Sequence, residues 1–541
     1  MNFTQILANK IPINSFSVYL TTLFNVIFIL FSISLLNQDG LNVYINSDTL
    51  YLPSIFQDIT EFGHTFNGWN LNPAPNFFPD MILYGVLAVF SNNFIVSVIA
   101  YSVVQYLLIV FLANKVLLAT VNNVERFYIL TIGNLLLALI PLSTYVANDF
   151  HFSFHLISNA YHNGAFVNAL LALNFFVRFL KKGKYSLLTL LMLTIIVSVL
   201  SDRFFIFYFI VPVVGVSIIA LFNKDKKKNA FKFIIATILA TGIGITTFNL
   251  LKAFKLLVVF KRSLELTPQL IKDAWTIFSE QFSYYLSEFD TRSFALFLSI
   301  GLTFLLGSYL YSFIKKNSLK GSTTKFLLVL FVFCFIPLVL IIPVLLGVYT
   351  GWDTIRYNFQ VVIIGLLFFG LPFNYANQKT IKIATLSTIT LITFSFLFSG
   401  FILFSGSFYS GLYRVTSFYP EKVETIDRIA KKHHLQFGVA PYWTAKYTTM
   451  LSKENVRAYT CFPEMTPWYH ATNENWYYLN PYTKDSVDFN FVVIQDSVHA
   501  HHFKNILGEP LKIVDTNDVV VYITKPFRYN RETYLPYYTN D

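Results

Sequence analysis

Charged side chains are scarce in this chain, and a few stand where a carboxylate and a guanidinium can act on one small substrate. Asp48 lies in the run Ile45-Asn46-Ser47-Asp48-Thr49-Leu50-Tyr51-Leu52-Pro53 and heads an amphipathic stretch with Leu50, Phe56 and Ile59 apolar. A carboxylate held there can take a proton from an acceptor hydroxyl or amine. Its competing role is to cap the helix that follows. Arg203, in Ser201-Asp202-Arg203, and Arg356, in Gly351-Trp352-Asp353-Thr354-Ile355-Arg356-Tyr357, each present a guanidinium's fixed fork of donors at the outer end of an apolar run. The competing role for each is an ion pair with its own neighbour, Asp202 or Asp353, or anchoring at an interface. Lys255, Lys261, Arg262 and Arg292 are further cations within one long loop.

A second polar cluster runs from Asn148 to Gly164 and carries Asp149, His151, His155, His162 and Asn163. His151 and His155 are spaced to share a helix face, which suits either a metal or the polar mouth of a cavity. No Glu follows the first His and no third ligand is evident, so polar lining is the preferred reading. His162, Asn163 and Tyr357, with Asp58 and Asp80, are expected to line the same pocket. Near the end of the chain, Tyr442-Trp443, Trp468-Tyr469-His470 and Trp476-Tyr477-Tyr478 form an aromatic-rich stretch. Such rings pack a core or seat a domain at an interface, and they also recognise acceptor groups above a site. His499, His501 and His502 with Asp496 read as a surface loop.

The elements that must position these residues are mostly apolar. Of 541 residues, 55% are hydrophobic and 13% charged, against about a quarter charged in a soluble domain. Apolar runs near the spanning length of about 20 residues recur at 18–36, 77–119, 127–146, 165–180, 185–200, 204–222, 233–250, 294–314, 326–349, 357–373 and 381–404. This implies about 11 or 12 spans, with 77–119 broken at Ser91–Asn93 and its number of crossings open. Basic residues cluster around Arg178–Lys184, Lys224–Lys232, Lys315–Lys325 and Lys379–Lys382, in alternate loops, which suits the cytoplasmic side. The net charge of +11 therefore reads as membrane orientation and not as a nucleic-acid surface. No Lys or Arg occurs between Lys10 and Lys115, so the acidic first loop, 37–76, faces outward with a cytoplasmic N-terminus. Residues 1–405 are expected to form the membrane domain, with outer loops 37–76 and 251–293. Residues 406–541 are expected to form a small extracytoplasmic α/β domain. Its elements are a helix over 421–433, a strand over 435–440, a helix over 442–451, a strand over 488–495, a short helix over 502–507 and a strand pair, 511–514 with 519–524. Two cysteines, Cys334 and Cys461, give neither a disulfide framework nor a metal spacing.

A long first span, an acidic residue early in the first outer loop, an interfacial helix after it and a second large outer loop resemble the GT-C superfamily. Protein O-mannosyltransferases and the aminoarabinose transferase of lipid A belong to that group. The runs Asp48–Pro53, Gly68-Trp69-Asn70 and Pro73–Asp80 are similar to bacterial membrane proteins of this type. The resemblance implies a polytopic α-helical GT-C-like fold in a bacterial inner membrane, with Asp48 as general base. It also implies inverting hexosyl or pentosyl transfer from a polyprenyl-phosphate sugar, seated among membrane lipids, to a glycan, lipid or protein acceptor. Arg356, Arg203 and Arg262 would hold the donor phosphate. Many members carry two adjacent acidic residues at this point, whereas here Thr49 follows Asp48. No cofactor is required by this chemistry, although a divalent cation is compatible with it. No glycine-rich loop supports a nucleotide-sugar donor. The alternative readings are a secondary transporter and a non-catalytic GT-C-like subunit of an envelope complex.

Overall fold

The computed structural model describes residues 15–159, 161–223, 226–259, 266–315, 324–375 and 377–539. The chain is mostly helical, at 68%, with strands concentrated towards the C-terminus. Among the described residues, eight helices are long and apolar enough to cross a bilayer, and all eight coincide with apolar runs in the sequence. They are Ser15–Ser34, Phe94–Thr120, Asn123–Val146, Asn163–Lys182, Lys227–Ala253, Thr291–Lys315, Thr324–Leu345 and Gln378–Leu403. Their packing is graded. The most apolar window of Asn163–Lys182 is 83% buried against protein, whereas that of Gln378–Leu403 is 22% buried and leaves Leu386, Phe394 and Leu397 exposed. The first helix is therefore central, and the second presents an apolar surface that water would penalise.

Three of the other expected spans are apolar segments with shorter or broken helices. Tyr185–Ser201 has 17 residues, about 26 Å at 1.5 Å per residue, and stops where Asp202 turns back to accept from the Phe204 N–H. Ile206–Ala220 opens as a π-helix before Pro212. The apolar run 357–373 yields only Gln360–Leu367, an eight-residue helix in which every residue is buried. The break expected at Ser91–Asn93 is present. Asn93 caps Phe94–Thr120 by accepting from the Ile95 and Val96 N–H groups, and the preceding Phe77–Val89 is too short to span alone.

In chain order the strands are β1 (Trp69–Leu71), β2 (Val258–Val259), β3 (Phe437–Ala440), β4 (Arg457–Thr460), β5 (Thr472–Asn473), β6 (Phe489–Ile494), β7 (Lys512–Asp515), β8 (Val520–Tyr529) and β9 (Pro536–Tyr538). The larger sheet runs β4-β3-β6-β8-β7, with β9 on β8. Strands β3, β4 and β6 are parallel, and β8 is antiparallel to β6. All four residues of β3 and of β4 are buried, as suits strands covered on both faces. Helix Tyr442–Leu451 connects β3 to β4, and helix Ser497–Leu507, capped by Asp496, follows β6. Because β4 lies on one side of β3 and β6 on the other, the chain reverses its winding between β3 and β6.

A three-stranded sheet ties this C-terminal layer to the first loop, with β1 pairing β2 in parallel and β5 antiparallel. The junction closes on Asp58, whose fully buried carboxylate accepts from Trp69 Nε1, Asn473 Nδ2 and Trp476 Nε1 at 2.7–2.8 Å and meets His64 Nδ1 at 2.7 Å. Further stitches run from Ser47 Oγ to the Tyr442 carbonyl and from Tyr447 Oη to the Asn42 carbonyl.

Candidate functional site

The turn that carries Asp48 is capped by a neighbour. Asn46 Oδ1 accepts from the backbone N–H groups of Asp48 and Thr49, and helix Tyr51–Thr60 has no side-chain cap. Asp48 thus does not take the capping role that was its alternative, and its carboxylate faces a cleft. There Oδ1 accepts from Tyr442 Oη at 2.6 Å, Tyr161 Oη reaches Oδ2 at 3.4 Å, and Arg356 Nη1 stands 3.6 Å from Oδ2. Tyr442 lies 394 residues downstream, at the start of the helix following β3.

The cleft holds about 500 Å³, a size usual for small-molecule sites. The loop Asn72–Asn76 forms one side, and Arg203, Arg356 and Tyr357 form another. Trp468 and His470 cover it from the C-terminal layer. His162 and Asp202 form a buried pair at its edge, Nδ1 to Oδ2 at 2.6 Å, and the His162 ring sits against Phe204 and Tyr357, which stack at 4.5 Å. With Asp202 engaged by His162, Arg203 makes no ion pair among the described residues and lies over the Phe248 ring at 4.2 Å. Arg356 likewise pairs with Asp48 and not with Asp353, so neither of the competing neighbour pairings is present. Among the described residues the Arg356 Nε has no hydrogen-bond partner. Burial works against the Arg356 charge, but Tyr357, Tyr161 and Asp48 outweigh it and raise its pKa. Burial lowers that of Arg203.

Lys446, one helical turn beyond Tyr442, adds a cation behind Asp48. Its ammonium is buried without a hydrogen-bond partner among the described residues, 5.5 Å over Tyr51 and 5.8 Å over Tyr442. Burial pushes its pKa down to about 7, against the attraction of Asp48. Burial, with Lys446 nearby, also lowers His470 to about 4, so this imidazole is neutral at physiological pH.

Asp48, Arg203, Arg356, His162 and Tyr357 therefore share one cleft. The other expected pocket residues do not line it. Asp58 is the buried junction described above. Asp80 is buried beneath the cleft, bonded by the Tyr101 hydroxyl and packed where Gly164 leaves room for its carboxylate. Asn163 starts its helix with its amide on the His155 and Ser158 carbonyls, a structural role. His151 is exposed while His155 is buried against Phe154 and Phe359, so the pair does not converge. Among the described residues no three His, Cys, Asp or Glu gather as a metal would need. Arg292 is committed to Asp290 and Asp149, Lys255 borders a different groove, and Lys261 and Arg262 lie outside the described residues.

Sequence reasoning missed Tyr161 and Lys446 as neighbours of Asp48. The regular spacing of Tyr442 and Lys446 on one helix face was readable, but not which surface that face would meet. No protein-family model matches this chain, and no curated protein matches it.

Proposed function

We propose that the protein is a GT-C-like membrane glycosyltransferase that moves a sugar from a polyprenyl-phosphate carrier to an acceptor on the outer face of a bacterial cytoplasmic membrane. The observation that carries this reading is the convergence of Asp48, Arg356 and Arg203 on one cleft beside long apolar helices. The helix ends support the orientation. Asn163–Lys182 begins beside His162 and ends in Lys181 and Lys182, while Lys184 precedes the helix that returns to Asp202. Basic ends thus lie one helix length, about 30 Å, from the cleft, consistent with a cytoplasmic side opposite the site. A single long helix in 77–120 also satisfies the odd number of crossings that the basic clusters require.

In this reading Asp48 accepts the proton of an acceptor hydroxyl as its oxygen bonds to the anomeric carbon. The bond from that carbon to the phosphate oxygen breaks, and the polyprenyl phosphate departs with the electron pair against Arg356 and Arg203. Phosphate is already a good leaving group, so one carboxylate suffices and the anomeric centre inverts. Tyr442 and Arg356 fix the carboxylate before the acceptor arrives, and Arg356 is close enough to serve both charges. The test is sugar transfer by an Asp48→Asn variant at matched expression in membranes. Loss of about a hundredfold or more in turnover is expected for removal of a general base; undiminished turnover removes Asp48 from that role.

A further inference from the structure

The C-terminal sheet has its own crevice, separate from the charged cleft. In open sheets of parallel strands, ligands bind outside the carboxyl ends where the winding reverses. Here that point lies between β3 and β6, and a space of about 530 Å³ opens over Pro441 and Tyr442 after β3, Cys461 after β4 and Gln495 after β6. The chemistry of its walls narrows the occupant. Trp443 is 57% exposed on the rim, and Phe462 and Trp468 stack at 5.0 Å on the other side. Thr444, Gln495, Asn517 and Asp518 supply neutral donors and acceptors and one carboxylate, with Lys422 the lone cation. No glycine follows β3 to let backbone approach a phosphate, and one lysine does not make a diphosphate cradle. Flat aromatic faces beside amides and hydroxyls suit a sugar ring, which has apolar faces and a polar edge.

The crevice also leads somewhere. Trp468 lines both it and the charged cleft, and Tyr442 lines the crevice while its hydroxyl bonds Asp48. On the other side Trp443 and Lys422 continue into a polar hollow of about 390 Å³ bounded by Asp39 and Asn42. Hollow, crevice and cleft thus adjoin one another through shared wall residues.

We propose that this switch-point crevice binds a pyranose glycan, stacked on Trp443 with Phe462 and Trp468 as the opposite wall, and that the glycan is the acceptor whose end reaches Asp48. The acceptor role rests on the glycosyltransferase reading; the binding does not.

The experiment uses the full chain in nanodiscs, screened against an array of neutral pyranose oligosaccharides. The best binder is then titrated by calorimetry. Relative to wild type, Trp443→Ala is expected to bind at least about tenfold more weakly and Trp443→Phe to stay within about threefold. Trp443 is exposed, so its loss does not threaten folding, and the phenylalanine variant separates stacking from bulk. No binding by any array member, or equal binding by Trp443→Ala, overturns the proposal. Binding lost in Trp443→Ala but without transfer by wild type keeps the crevice and rejects the catalytic reading.

Discussion

Replacing Lys446 by methionine removes a charge that folding takes out of water without giving it a hydrogen bond. The ammonium is buried and its pKa falls from 10.5 to about 7. At 1.36 kcal/mol per unit, that gap opposes folding by on the order of 4–5 kcal/mol when the lysine is charged in both states. The sign follows from proton counting. Between about pH 7 and 10.5 the unfolded chain binds the proton and the folded one releases it, so wild-type stability climbs with pH through that window. Below about pH 7 the full cost is present, and above 10.5 it is gone. Lys446→Met has a similar length and fits against Tyr51 and Tyr442. It is expected to melt several degrees higher than wild type at neutral pH. That advantage should shrink steadily towards pH 10.5. Thermal unfolding in one detergent across that range reads both quantities. A variant less stable than wild type at neutral pH, or a difference that does not change with pH, refutes the reasoning.

Asp58→Asn replaces an acceptor of four donors with a group that brings two donors of its own, and a loss of about 3 kcal/mol or more is expected. Limited proteolysis should then release the C-terminal layer, and an unchanged cleavage pattern contradicts Asp58 as the junction. Gly68 sits at φ +92°, where a Cβ would collide with Asn473 and Asn475. Gly68→Ala is expected to cost about 1–3 kcal/mol, checked by the same melting assay. Arg356→Lys keeps the charge but loses the fork, so polyprenyl-phosphate binding should weaken by about tenfold, and Arg356→Ala by more. Equal affinities in a lipid titration would place the phosphate elsewhere.

The parts of this molecule legible in sequence are those set by local chemistry. Helices Glu421–His433 and Tyr442–Leu451 and the strand pair near the end follow their apolar periods. Asp48, Arg203 and Arg356 stand out because ionised groups near a bilayer are costly and therefore informative. What stayed hidden was long-range. Nothing local tells Asp58 that two tryptophans and an asparagine, two of them more than 400 residues away, will occupy its oxygens. The spacing of His151 and His155 is correct for one helix face, yet the helix rolls so that Phe154 and Phe359 bury one imidazole and leave the other outside. The run 357–373 is apolar, yet Gln360–Leu367 is enclosed by other helices, and composition does not tell an enclosed helix from a lipid-facing one.

The central claim is that Asp48 and the two arginines face one donor. The most direct measurement is a cryo-EM map of the full chain in nanodiscs containing polyprenyl phosphate. The account predicts phosphate density within hydrogen-bond reach of Arg356 or Arg203, with Asp48 across the same cleft and the lipid tail running between apolar helices. Phosphate density elsewhere, with the cleft closed to the lipid, contradicts it.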